Sequence, residues 1–198
     1  AKPSFRLLPS DATFDVGGSS VFFKNDEDIE YTLGLLNTKI ALTVLNINNP
    51  TLNFQVRNIR EVPFASVANR SLVEQNVKLA IGMTKEDWNS YETSWYFTSL
   101  PLLHPDYRQL TVKATYTKIH THWQAMTLEM KHLEEENNCI FINAYGLQEE
   151  LLPDVPLNEI TLTCNPHYRY SDNKSEEELQ SILLADTLKE FLSYAVGC

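Results

Sequence analysis

Asn53, Gln55, Arg57, Asn58 and Arg60 crowd one short stretch with side chains that can read a nucleic acid. An arginine offers a guanine edge or a phosphate a planar fork of donors, and an amide offers an adenine edge a donor and an acceptor together. Their spacing has a meaning of its own. Leu52, Phe54 and Val56 alternate with Asn53, Gln55 and Arg57, the two-residue period of a half-buried strand. Such a strand packs its apolar face and leaves the amides and the arginine outward. A plain solvated strand face has the same pattern, since polar alternation is what any antiparallel strand shows.

Other reactive side chains assemble nothing comparable. His120 and His122 are two apart on a predicted helix and face different ways, with His132 ten residues further on. Neither a metal site nor a nucleophile with a base partner emerges, and solvated helix histidines are the simpler reading. The runs Glu134-Glu135-Glu136 and Glu176-Glu177-Glu178 read as solvated faces or helix starts. Cys139, Cys164 and Cys198 are odd in number and lack CxxC spacing, so no disulfide framework or zinc site is indicated and a reducing cytoplasm fits. Gly17-Gly18 has the spacing of neither a phosphate loop nor a dinucleotide fingerprint and reads as a tight turn.

The elements that must hold these residues follow from periodicity. Residues 3 to 24 alternate around Phe5, Leu7, Phe14, Val16, Val21 and Phe23, which predicts two or three strands. Asn25 or Asp26 caps a helix running to about Asn46, with Ile29, Leu33, Leu36, Ile40, Val44 and Ile47 along its buried face. Asn48-Asn49-Pro50 ends it, because a proline disfavours helical backbone at the residue before it. The candidate strand follows and stops at Pro63. From there to about Pro105 runs a connector: a short helix within Ser66 to Ile81, a fresh helix start capped by Thr84, then Trp88, Tyr91, Trp95, Tyr96 and Phe97 as apolar anchors.

A long helix is predicted from about Thr111 to Tyr145. Val112, Tyr116, Ile119, Trp123, Met126, Met130, Leu133, Asn137, Ile140, Ala144 and Leu147 step by four and three, a coiled-coil-like seam with Asn137 as a register-fixing polar member. Gly146 closes it as a left-handed cap. Its partner is a last helix from Ser175 to Val196, burying Leu184, Leu188, Phe191 and Ala195, so that two antiparallel helices form a spacer.

Charge narrows the choice of surface. The 198 residues carry −10, yet residues 1 to 70 hold seven Lys/Arg and seven Asp/Glu, so the excess acid falls after residue 70. A nucleic-acid contact is therefore expected before residue 71. No run of about 18 apolar residues occurs, which excludes a membrane-spanning helix, and no basic-then-apolar leader opens the chain.

Several blocks, in order, resemble one family. Asn49 to Phe64 (NPTLNFQVRNIREVPF) is similar to the end of the target-recognition region of type IIG restriction-modification enzymes and of the PglX adenine-specific methyltransferases of BREX phage defence. Phe14 to Ser20 (FDVGGSS) and Gly34 to Lys39 (GLLNTK) resemble that family's glycine turn and LLNSK-like helix. Ser94 to Leu103, Leu133 to Leu151 and Glu159 to Tyr170 look like its downstream blocks. In the resembling families the helix bearing Lys39 and the NPTLNFQV loop belong to one recognition unit. The resemblance thus offers Lys39 as a phosphate contact, beside the commoner reading of a solvated lysine.

Asn165-Pro166-His167-Tyr168 also looks like the NPPY tetrad of adenine-N6 methyltransferases, whose Asn and prolyl carbonyl accept the target amine's hydrogens while the aromatic stacks on a flipped base. Histidine replaces the second proline, no strand-linked glycine loop for S-adenosylmethionine is present, and PglX-like proteins carry a CNPYYRY-like block here downstream of their true motif. A structured turn between a strand and the last helix is the reading preferred.

The resulting expectation is an α+β fragment: a mixed target-recognition-like module at 1–66, an aromatic connector at 67–108 and a helical spacer hairpin at 109–198. By resemblance it is the DNA-recognition and spacer part of a longer, cytoplasmic, S-adenosylmethionine-dependent adenine-N6 DNA methyltransferase whose methyl-transfer domain precedes residue 1. On this reading the fragment alone is inactive and holds no cofactor, metal or catalytic set. Double-stranded DNA is the expected partner, together with other phage-defence subunits, and no membrane is involved. Lys39, Asn53, Gln55, Arg57, Asn58 and Arg60 are the expected DNA contacts. The competing expectation is an acidic helical platform that docks other subunits without touching DNA.

Overall fold

The computed structural model describes residues 4–9, 12–15, 18–49, 54–170 and 173–197. Seven α-helices are found among them: α1 (Ile29–Leu36), α2 (Lys39–Asn48), α3 (Val56–Arg60), α4 (Arg70–Asn89), α5 (Val112–Tyr145), α6 (Pro166–Tyr170) and α7 (Glu176–Gly197). Four single turns of 3₁₀-helix accompany them, at Asp26–Asp28, Pro101–Leu103, Pro105–Tyr107 and Leu157–Glu159. There is no strand among the described residues, so the expected α+β class is corrected to all-α.

The opening segment shows how its backbone is satisfied without a sheet. Asn37 accepts the Phe5 N–H through Oδ1 at 3.0 Å and donates to the Phe5 carbonyl at 3.2 Å, in place of a ladder partner. Leu7, Phe14 and Val21 are exposed rather than buried on an inner face. Gly18 does belong to a turn, donating to Asp15 O at 3.0 Å, whereas Gly17 and Val16 lie outside the described residues.

The single helix expected to Asn46 is two helices. Thr38, extended at ψ 159°, caps α2: its hydroxyl donates to Leu35 O at 2.6 Å and accepts the Ala41 N–H at 3.3 Å. Leu36 and Ile40 of the expected face are buried, whereas Ile47 is exposed, and Tyr31, Leu35, Ala41 and Leu45 are buried besides. The two helices expected within the connector are one, because Thr84 sits inside α4, where the preceding turns already supply carbonyl partners and no cap is needed.

Contacts divide the chain into two compact units, Ala1–Ile81 with His132–Asp154 and Gly82–Lys131 with Val155–Cys198. The first unit is built on Tyr31, Leu35, Ile40, Val67, Val73, Val77, Phe141 and Ile142, with a satellite of Leu36, Ala41, Leu45 and Val62. Gly34 allows the close approach of α1 to α4, since a Cβ there would stand 2.7 Å from Val73 Cγ1. Asn137 of the expected seam is buried and accepts the amide of Asn76 at 3.1 Å, so its polar atoms are paired within the core.

In the second unit Ile119, Trp123, Met126 and Met130 of α5 are buried, as are Leu100, Val155, Ile160, Leu162, Leu179 and Leu183. The seam thus packs through its middle while Val112 and Ala144 at its ends are exposed. Gly146 ends α5 at φ 69°, the left-handed cap expected. Ser175 starts α7 with a reciprocal cap, its hydroxyl accepting Glu178 N–H at 3.3 Å while Glu178 Oε2 accepts Ser175 N–H at 2.8 Å.

The buried stripe of α7 is Leu179, Leu183 and Thr187 rather than Leu184, Leu188, Phe191 and Ala195. Thr187 can be buried because its hydroxyl donates to Leu183 O at 2.7 Å within the helix. Of the five aromatic anchors, Phe97 meets Tyr194 edge-on at 5.9 Å and Tyr91 is half-buried, but Trp88, Trp95 and Tyr96 are exposed.

Candidate nucleic-acid interface

The stretch expected to be a strand is, where described, a one-and-a-half-turn helix. Asn53 lies outside the described residues; Gln55 is the N-cap of α3, and its N–H donates to Asn58 Oδ1 at 2.9 Å. Asn49, the C-cap of α2, donates to the same oxygen at 3.3 Å. The local reason is the polar pair at three-residue spacing, which satisfies orphan helix donors that a strand would have left to a neighbour. Asn58 is thereby a capping residue, with its oxygen already engaged on two donors.

Arg57 and Arg60 sit three apart, on one side of α3, and both are exposed. Arg57 donates through Nε to Glu61 Oε1 at 2.8 Å with 84% of its side chain exposed, an ion pair that solvent screens heavily. That contact raises the guanidinium pKa above its ordinary value, so the positive charge is permanent. Arg60 has no ion pair among the described residues.

Lys39 opens α2, its N–H donating to Asn138 Oδ1 of α5 at 2.9 Å. A ten-residue helix is about 15 Å long, so Lys39 stands a helix length from α3, which is tied to the other end of α2. The structure brings Gln55, Arg57, Asn58 and Arg60 together and leaves Lys39 apart.

Folding also changes the electrostatic setting. Residues 1–81 hold eight Lys/Arg and eight Asp/Glu, and 132–154 hold six Asp/Glu and no Lys or Arg, so the first unit carries −6. The six carboxylates of 132–154 thus share a unit with the recognition stretch, although they are distant from it in sequence. A polar depression of ≈ 370 Å³ in this unit is lined by Asn25, Asp28, Glu30, Arg70, Glu74 and Lys78, with Arg70 held by Asp28 at 3.0 Å and Glu74 at 2.6 Å.

The tetrad-like block is a turn whose amide is fully used. Asn165 is completely buried; its Nδ2 donates to Leu157 O at 2.7 Å and Ile160 O at 2.8 Å, and its Oδ1 accepts His167 N–H at 3.1 Å. The residues before it, Ile160 to Cys164, form no strand. Tyr168 is about half exposed, and His167 Nε2 lies 3.1 Å from Glu176 Oε2. With Oδ1 bonded to the His167 N–H and the whole residue shut off from solvent, Asn165 presents no acceptor to an incoming amine. Two of the three helix histidines are partnered, His120 meeting Gln180 and His122 Nε2 lying 2.7 Å from Glu86, while His132 is exposed as expected. No group of three or more His, Cys, Asp or Glu suited to a metal occurs among the described residues.

Residues that sequence reasoning missed hold the site from behind. Tyr31 and Tyr145 grip the backbone that follows α3, and Asn138 grips the start of α2. Their only sequence signal was an aromatic in the last helical position before Gly146 and an amide beside the seam member Asn137.

No family model matches the chain. Among curated relatives, the adenine-specific methyltransferase BrxX of Escherichia coli O9:H4 (strain HS) is 30% identical over 197 residues, covering 98% of this chain and 16% of the relative. The adenine-specific methyltransferase PglX of Lacticaseibacillus casei (strain Zhang) is 30% identical over 198 residues, covering 98% of this chain and 15% of the relative. The chain therefore spans about a sixth of the length of these relatives. Over that span it is homologous to the PglX-type (BrxX) adenine-specific methyltransferases, the family its sequence blocks resemble.

Proposed function

We propose that this chain is the DNA-recognition and spacer portion of an S-adenosylmethionine-dependent adenine-N6 DNA methyltransferase acting in phage defence. The observation that carries the reading is the match along 98% of the chain to two adenine-specific methyltransferases. The paired guanidiniums of Arg57 and Arg60 on the outer side of α3 support it. Arginine serves phosphates and guanine edges, and Gln55 beside them suits an adenine edge. Asn53 completes the candidate set on sequence grounds, Asn58 serves it as a cap, and Lys39 is a separate phosphate contact.

S-adenosylmethionine supplies the methyl group in such an enzyme, and the described residues do not fit it. Among the described glycines Gly18 closes a turn next to no strand, Gly34, Gly82 and Gly197 lie inside α1, α4 and α7, and Gly146 is a helix cap, so none forms a glycine loop between strand and helix. No step of methyl transfer is assigned to this chain.

The reading is tested by titrating this chain into labelled duplex DNA, followed by fluorescence anisotropy at low and near-physiological salt. Salt-sensitive binding is expected, with the Arg57→Ala plus Arg60→Ala double variant lowering the log–log salt slope by about 2, one released counterion per lost phosphate contact. Absence of binding at low salt overturns it in favour of the acidic docking platform. The −6 of the first unit is the observation that favours that second reading.

A further inference from the structure

Helix α5 carries two gripping side chains: Asn138 holds the backbone of the candidate contact Lys39, and Tyr145 holds the backbone just after α3. Seven residues apart, they lie on one side of the helix about 10 Å from each other. Asn138, buried, accepts the Lys39 N–H at 2.9 Å and donates to Pro153 O at 3.1 Å. The Tyr145 hydroxyl donates to Pro63 O and accepts the Ala65 N–H at 3.0 Å, while the Tyr31 hydroxyl donates to Ala65 O. Both polar groups of Ala65 are thus held by tyrosines. Only Glu61 and Val62 separate the end of α3 from this grip, and Val62 is itself packed with Leu36, Ala41 and Leu45. Five residues of helix cannot hold an orientation by themselves, so the direction of the two guanidiniums is set by what holds the chain on either side.

We propose that Asn138 and Tyr145 are positioning residues that fix Lys39 and the α3 arginines in one DNA-contacting arrangement. The proposal rests on the DNA-recognition reading above. In physical terms α5 acts as a ruler: its rigid two-turn spacing is transferred to two backbone segments that share no regular structure with each other. A tyrosine hydroxyl suits the task because it donates and accepts at once from the end of a ring seated against the core.

The test is a double-mutant cycle on the anisotropy titration. Tyr145→Phe keeps the ring and removes only the hydroxyl, and it is measured in the native chain and in the Arg57→Ala plus Arg60→Ala background. Binding five- to tenfold weaker in the native background, about the worth of a lost hydrogen bond or two, and unchanged in the arginine-free background supports the proposal. Equal weakening in both backgrounds means general loosening and overturns it, as does no effect in either. Asn138→Ala against Lys39→Ala gives the second cycle with the same criteria. Should Tyr145→Phe fail to fold by circular dichroism, Tyr31→Phe, which releases only the Ala65 carbonyl, takes its place. If the double arginine variant binds like the native chain, the recognition reading itself falls and the proposal with it. A sensitive arginine pair with an insensitive Tyr145 removes the proposal alone.

Discussion

Asp87, buried on α4, accepts the backbone N–H of Cys164 at 2.9 Å and that of Thr163 at 2.6 Å. One carboxylate thus closes the turn that leads into α6, where the backbone has no helix or ladder of its own. Charge-assisted bonds of this kind exceed neutral ones, and their loss strands one buried and one partly buried donor. Asp87→Ala is expected to cost about 3 kcal/mol, and Asp87→Asn less because it keeps an acceptor. Urea unfolding followed by circular dichroism measures both; a loss near zero for Asp87→Ala contradicts the role. The Cys164 thiol beside it is pushed well above the ordinary thiol range, chiefly by burial and then by the Asp87 charge. Alkylation of the folded chain is accordingly expected at exposed Cys139 and not at Cys164.

Asn165 is expected to matter for stability. Its three hydrogen bonds join Leu157, Ile160 and His167 into one turn, so Asn165→Ala is expected to destabilise by about 2 to 3 kcal/mol. Asn165→Asp is expected to be worse, since it replaces two donors by a carboxylate facing two carbonyl oxygens. Thermal melts of the two variants decide the matter. A catalytic role would instead leave the melt untouched by either change.

Gly34→Ala tests the approach of α1 to α4. The added methyl would stand 2.7 Å from Val73 Cγ1 and 3.0 Å from Val77 Cγ2, closer than carbon atoms pack, for an expected cost of about 1 to 3 kcal/mol. Val73→Ala removes the nearer methyl. The pair together should therefore be less destabilised than the two single losses added, in a denaturation cycle. Strict additivity would show that the helices separate instead.

Asp186 supplies a pH dependence with a definite sign. Its pKa is lowered from 3.8, first by the hydrogen bond from Lys189, with burial opposing and the Tyr170 hydroxyl at 2.9 Å adding to the effect. A carboxyl that is more acidic when folded stabilises the protein above its unfolded pKa, because the unfolded chain binds more protons on the way down. That stabilisation is complete above about pH 4 and fades as pH falls through the lower folded value. Asp186→Asn should therefore lower the urea midpoint at pH 7, with a disadvantage that shrinks as the pH is taken below about 4. A midpoint difference that stays constant with pH would rule the linkage out.

Much of the helical scaffold is legible without coordinates. The four-three seam of α5 and its left-handed stop at Gly146, together with the reciprocal cap of Ser175 and Glu178, follow rules that act within a few residues. Likewise the arginines of the candidate site were recognisable by type. Their setting was not: the run through Phe54 and Val56 is too short for periodicity to separate strand from helix, and the Gln55–Asn58 cap decides for helix.

The sequence by itself determined the long helix α5 and the last helix α7, showed the kinship to the adenine-specific methyltransferases and offered Arg57 and Arg60 as candidate contacts. Only the tertiary structure decided that the helix toward Asn46 breaks at Thr38, where Asn138, distant in sequence, satisfies the Lys39 N–H. It alone also decided that Tyr31 and Tyr145 hold the chain behind α3 and that the six carboxylates of 132–154 share a unit with the neutral opening. The physical reason is common to these cases. A cap or a seam is settled by neighbours one or two turns away, whereas a hydrogen bond across the core is written into the chain only as two polar residues with nothing nearby to announce the partner.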